Sequence, residues 1–71
     1  MFEIINNRPG LIEIKSKYHF WCLLQVEGTE TYFLYHKHEI NHPYHRQLER
    51  PVTFNYAKKL ILKHDEYVSK L

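Results

Sequence analysis

The chain has 71 residues, a formal net charge of +2, 44% hydrophobic and 25% charged residues, and one cysteine. That length makes one domain, residues 1–71, near the lower size at which a core holds unaided, and the composition excludes a disordered chain. The lone Cys22 excludes an internal disulfide, and the absence of a leader-like segment or a run of transmembrane length reads as a cytoplasmic protein without a membrane role.

In chain order, Phe2 to Ile5 reads as a short strand and Asn6-Asn7-Arg8-Pro9-Gly10 as the loop of a hairpin. Pairing Ile4 with Ile12 sets Phe2, Ile4, Ile12 and Ile14 on one face. From Ile12 to Val26 every second residue (Ile12, Ile14, Ser16, Tyr18, Phe20, Cys22, Leu24, Val26) is apolar or aromatic except Ser16. A period of two over that length is extended chain with one dry face, so the segment reads as one long, bent strand. Trp21 and Leu23 interrupt the polar set between.

Glu27-Gly28 supplies the next reversal. A two-residue turn there pairs Val26 with Thr29, Cys22 with Phe33 and Phe20 with Tyr35, giving a third strand over Thr29 to His38. Tyr32, Leu34, His36 and His38 then share a face with His19, Trp21 and Leu23. The segment Glu39 to Pro51 is polar, and Pro43 and Pro51 bracket a helical turn over Tyr44 to Glu49. Thr53 caps a C-terminal helix whose stripe is Phe54, Ala57, Leu60, Ile61, His64, Tyr67 or Val68, and Leu71. Lys58, Lys59, Lys63, Asp65, Glu66 and Lys70 fall on its solvated side. The expected fold is α+β: a three-stranded antiparallel meander with a long bent central strand and one C-terminal helix on the dry face, in the order β-β-β-α.

Three functional readings follow, all of a binding module. Trp21, Leu23, Tyr32 and Leu34 form an aromatic-aliphatic patch with a charged rim, the composition of a contact with a protein partner or of a homodimer. Alternatively, Lys15 and Lys17 beside Trp21, with Lys37, Arg46 and Arg50, offer cations and a stacking ring to nucleic acid. The order of three strands and a helix resembles the sheet-reading DNA-binding domains at the N-terminus of some phage and transposon integrases; this covers architecture alone and implies DNA contact through the sheet. Third, His36, His38, His42 and His45 crowd one short stretch, and imidazole is the commonest side-chain ligand of zinc and its neighbours. His36 and His38 on a strand project to one face, His19 faces His36 across the hairpin, and His42 is a further ligand.

Enzymatic function is not expected. The only glycines are Gly10 and Gly28, so there is no phosphate-binding loop, and Cys22 falls on the dry face as inert core. No cofactor is required and no small-molecule substrate is implied; zinc or a similar ion is the one cofactor the residues could accept.

Overall fold

The computed structural model describes residues 2–71. Strands β1 (Phe2–Arg8), β2 (Leu11–Ser16), β3 (Phe20–Gln25) and β4 (Thr31–Lys37) pair antiparallel in chain order. The two-residue strands β5 (His45–Arg46) and β6 (Val52–Thr53) both pair with β4, and helix α1 (Phe54–Ser69) closes the chain. The α+β class and the terminal helix match the sequence reading. The sheet is larger than a three-stranded meander.

The long central strand is the main correction. It is a hairpin: β2 and β3 pair with each other, Ile14 opposite Trp21 and Ile12 opposite Leu23, around a turn in which the Ser16 N–H donates to the His19 carbonyl at 2.9 Å. In this register even-numbered residues of β2 face odd-numbered residues of β3. The period-two pattern therefore changes sides at the turn. Ile12, Ile14 and Ser16 share a face with His19, Trp21 and Leu23, while Phe20, Cys22 and Leu24 lie on the opposite face with Glu13 and Lys15.

Helix α1 covers the first of these faces. The core joins Ile14, Trp21, Leu23 and Leu34 of the sheet to Ala57 and Ile61 of the helix, with Phe2, Ile12, Tyr32 and Phe54 packed around it. Trp21 is only 2% exposed, and its indole N–H donates to the Ser16 hydroxyl at 2.9 Å. Trp21, Leu23 and Leu34 are thus interior, and Tyr32 is half-buried with its ring 6.4 Å from Phe54. Trp21, Leu23 and Leu34 therefore offer no external contact surface, because the helix roofs the face they occupy, and Tyr32 alone of the four keeps part of its ring exposed. The shared face of Trp21, Leu23, Tyr32, Leu34 and His36 was read correctly; which face the helix takes was not.

Other registers shift for local reasons. Pro9 and Gly10, the latter at φ 81°, make a tight first turn, and an extra residue between Ile4 and Asn6 puts Ile4 opposite Ile14 rather than Ile12. The β3–β4 loop holds four residues, not two: Val26 N–H donates to Thr31 O, so Cys22 faces Tyr35 and Leu24 faces Phe33. That slip of two residues preserves the faces. No helical turn forms over Tyr44 to Glu49. His45 and Arg46 instead pair with His36 and Tyr35, and Gln47 N–H donates to Leu34 O at 2.9 Å, which satisfies backbone groups on the outer edge of β4.

Thr53 caps α1 as read, its hydroxyl accepting from Tyr56 N–H at 3.3 Å. Val68 rather than Tyr67 continues the buried stripe, and Leu71 is 88% exposed. Asp65 departs most from its solvated assignment, being buried at 6% exposure. Cys22 is buried on the second face, where burial pushes its thiol up to about 11. No helix among the described residues is long and apolar enough to cross a membrane.

Candidate metal centre at the end of the core

The rows of the sheet decide which histidines meet. On the helix side, Ile12–Leu23–Leu34 and Ile14–Trp21–His36 are successive cross-strand rows, and one step further along the strands come His19 and His38. The apolar core therefore ends in imidazoles. His36 Nε2 and His19 Nδ1 are 3.0 Å apart. The His19 and His38 rings stack at 4.3 Å, and His36 and His38 lie 5.0 Å apart. One nitrogen from each of His19, His36 and His38 falls within 4.8 Å of the other two. His36 is buried, His19 half-buried and His38 exposed, so the group runs from the core to the surface.

The helix contributes a fourth imidazole. His64 lies 4.9 Å from His19 and 4.8 Å from His36 between ring centroids, and 5.2 Å from Trp21. Its Nδ1 is buried without a hydrogen-bond partner, which is unusual for a polar atom. The sequence reading placed His64 on the core stripe of the helix but not in the histidine cluster. His42 is not a member. It pairs with Glu39 at 3.4 Å on the exposed loop and only borders a shallow cleft that also touches His36, His38 and His45.

The cluster is anchored by a buried polar network. Asp65 accepts from the Ser16 hydroxyl at 2.8 Å and from Lys17 N–H at 2.9 Å. Ser16 in turn accepts the indole N–H of Trp21. These bonds fix the β2–β3 turn from the helix side, and His19 is the residue by which that turn enters β3.

Electrostatically the site favours neutral imidazole at His36 and His19. Burial, then the neighbouring His19, His64 and His38, push His36 down to about 4. Burial, then His38 and His64, lower His19 as well, with Asp65 opposing. Facing nitrogens 3.0 Å apart hold one proton between them, and a second must break the contact. The linkage sign follows. The unfolded chain takes up a proton at His36 near pH 6.5 while the folded chain resists until about 4, so stability is intact above pH 6.5 and falls as the pH drops toward 4. Urea unfolding in the presence of a chelator is expected to give a lower midpoint at pH 5 than at pH 7.5, and His36→Gln is expected to flatten that difference. An unchanged midpoint would show that His36 accepts its proton in the folded state.

The cations of the nucleic-acid reading are divided. Lys15, Lys37 and Arg46 lie on the helix-free face, Lys17 is in the β2–β3 turn beside Tyr18, and Arg50 precedes β6, exposed. None of Lys15, Lys37 and Arg46 shares a face with Trp21. No protein-family model, curated protein or solved structure matches the chain.

Proposed function

We propose that this chain is a transition-metal-binding protein that holds a zinc-class ion through His19, His36 and His38, with His64 as the residue that completes or orients the set. The observation that carries this is the convergence of three imidazole nitrogens within 4.8 Å at the end of the core. Two nitrogens about 2.0–2.1 Å from a tetrahedral ion are roughly 3.3 Å apart. The His19–His36 pair at 3.0 Å need open only slightly to admit one. An all-imidazole set suits zinc, copper and nickel rather than magnesium or calcium. The low proton affinity of His19 and His36 means that little proton displacement accompanies binding at neutral pH.

The orphaned Nδ1 of His64 supports the fit, since an ion or a ligand rotation would give it a partner. Exposed His38 puts the ion at the rim of the fold, not in a closed, water-excluding pocket.

Untagged protein titrated with zinc or cobalt(II) is expected to bind one equivalent, cobalt giving the visible absorption of tetrahedral coordination. Free zinc at about 100 times its dissociation constant should raise the unfolding free energy by about 2.7 kcal/mol. His36→Gln and His38→Gln should each weaken binding by roughly 100-fold or more, and His42→Gln should leave it unchanged. Titration without an equivalence point, or equal losses in the His42 and His38 variants, would refute the site.

A further inference from the structure

We propose that the helix-free face of the sheet binds single-stranded nucleic acid, with unpaired bases stacking at Phe20, Phe33 and Tyr35 and phosphates meeting Lys15, Lys37 and Arg46. The proposal is independent of the metal centre, which lies on the other side of the sheet. It follows from the register. Across the second face, one row reads Lys15–Phe20–Lys37, the next Glu13–Cys22–Tyr35–Arg46, and the third Arg8–Leu11–Leu24–Phe33. The rings are half-buried, Leu24 is 43% exposed, and no helix covers them; Tyr44 crosses the face, its hydroxyl donating to Glu13 and its ring 4.4 Å from the Lys37 ammonium, covering Cys22 between the rows.

Each ring carries a cation. Lys15 and Lys37 lie over Phe20, both 5.7 Å from its centroid, and Arg46 lies 4.2 Å from Phe33 and 5.6 Å from Tyr35 while donating to the Tyr35 hydroxyl at 3.1 Å. A guanidinium stacked on a ring offers its outer plane to a base. The Lys15 ammonium beside Phe20 meets the phosphates that flank the ring, and Lys37, which also donates to the Ile40 carbonyl at 3.0 Å, keeps two further protons for the same purpose. The acids on this face are Glu3 at the edge, opposite Lys15, and Glu13, whose carboxylate accepts from Tyr44 and Asn6.

The same pattern argues against the alternatives. A protein contact has an interface core depleted in lysine, whereas here Lys15 and Lys37 both sit on Phe20. A duplex keeps its bases stacked and leaves the rings unused.

The test is fluorescence anisotropy of a labelled oligothymidylate of roughly a dozen nucleotides, with chelator present. Saturable binding is expected. Three phosphate contacts should weaken it about 20-fold between about 50 and about 200 mM salt, from a slope of roughly 0.7 per phosphate. Arg46→Ala or Lys15→Ala, both at exposed positions, should reduce that slope by about a third. Phe33→Ala should cost about five-fold or more without changing the slope. Lys59→Ala on the helix should change nothing. The proposal is overturned by failure to bind at the lower salt, by a duplex binding as tightly, or by equal loss in the Lys59 variant. Salt-insensitive self-association abolished by Phe33→Ala would assign the face to a second copy instead. Arg46→Ala and Lys15→Ala remove no buried contact, so they decide the matter even if Phe33→Ala fails to fold.

Discussion

Replacement of Trp21 by alanine is expected to remove about 3–5 kcal/mol of folding free energy. At roughly 0.05–0.15 kcal/mol per residue, a domain of this length has only about 4–11 kcal/mol in total, so the variant should lose from about a quarter to all of its stability and unfold at a much lower midpoint. The physical reason is the side chain's position. Trp21 is the largest fully buried residue, seated between Ile14 and His36 in its sheet row. Truncation leaves a cavity that the rigid neighbours Leu23, Leu34 and Ile61 cannot fill by small shifts. It also removes the indole N–H that Ser16 accepts. Trp21→Phe separates the two effects: it refills most of the volume and loses one hydrogen bond, so its cost should be nearer 1–2 kcal/mol. Urea unfolding followed by circular dichroism measures both. If Trp21→Ala kept the native midpoint while abolishing self-association, the indole would be a surface contact and the core assignment would fail.

The particular elements explain what could be read from sequence and what could not. The helix was legible at both its cap and its stripe, because Thr53 and the spacing of Phe54, Ala57, Leu60 and Ile61 are local signals. The side-sharing of Trp21, Leu23, Leu34 and His36 was legible too, since it needs only a period of two and an even slip in register. His19 reaches His36 diagonally: the two-residue slip puts Trp21, not His19, opposite His36, and the two imidazoles meet because they share a face. The β2–β3 turn was invisible. Ser16-Lys17-Tyr18-His19 contains no Gly, Pro, Asn or Asp, and no non-glycine residue takes positive φ.

Apolar alternation continues through that turn by coincidence, so an odd-to-even change of side looked like one unbroken strand. An unbroken strand would set Phe20 and Cys22 under the helix and leave Trp21 outside, which makes core residues look like an interaction patch. His64 was hidden differently: a histidine at a stripe position of a helix looks like packing until the sheet shows what stands opposite. The short strands β5 and β6 carry no periodic signal, as two residues cannot show one.

Asp65→Ala is expected to cost about 3 kcal/mol, from two hydrogen bonds to a buried charged acceptor at roughly 1.5 kcal/mol or more each. The donors left behind are the Ser16 hydroxyl and the Lys17 N–H. Ser16 can redirect its proton to the His19 carbonyl, which lies 3.3 Å away. Lys17 N–H must find water or move, and moving opens the turn. Because His19 is delivered to the histidine cluster by that turn, the loss should appear twice: as a lower unfolding midpoint, and as weaker zinc binding by the fraction that remains folded. Asp65→Asn discriminates. Its one carbonyl oxygen can still accept from Lys17, while its amide can donate to the second lone pair of Ser16 only if the serine proton turns to the longer His19 carbonyl contact, so an intermediate cost is expected. If alanine and asparagine were both tolerated without measurable change, the turn would be held by its own Ser16–His19 backbone bond. The helix would then merely rest on it. If the two variants fall in the expected order, a turn with no glycine, proline, asparagine or aspartate is specified by a carboxylate 48 residues away from Lys17 in the chain, and the helix that covers the core also sets the position of His19.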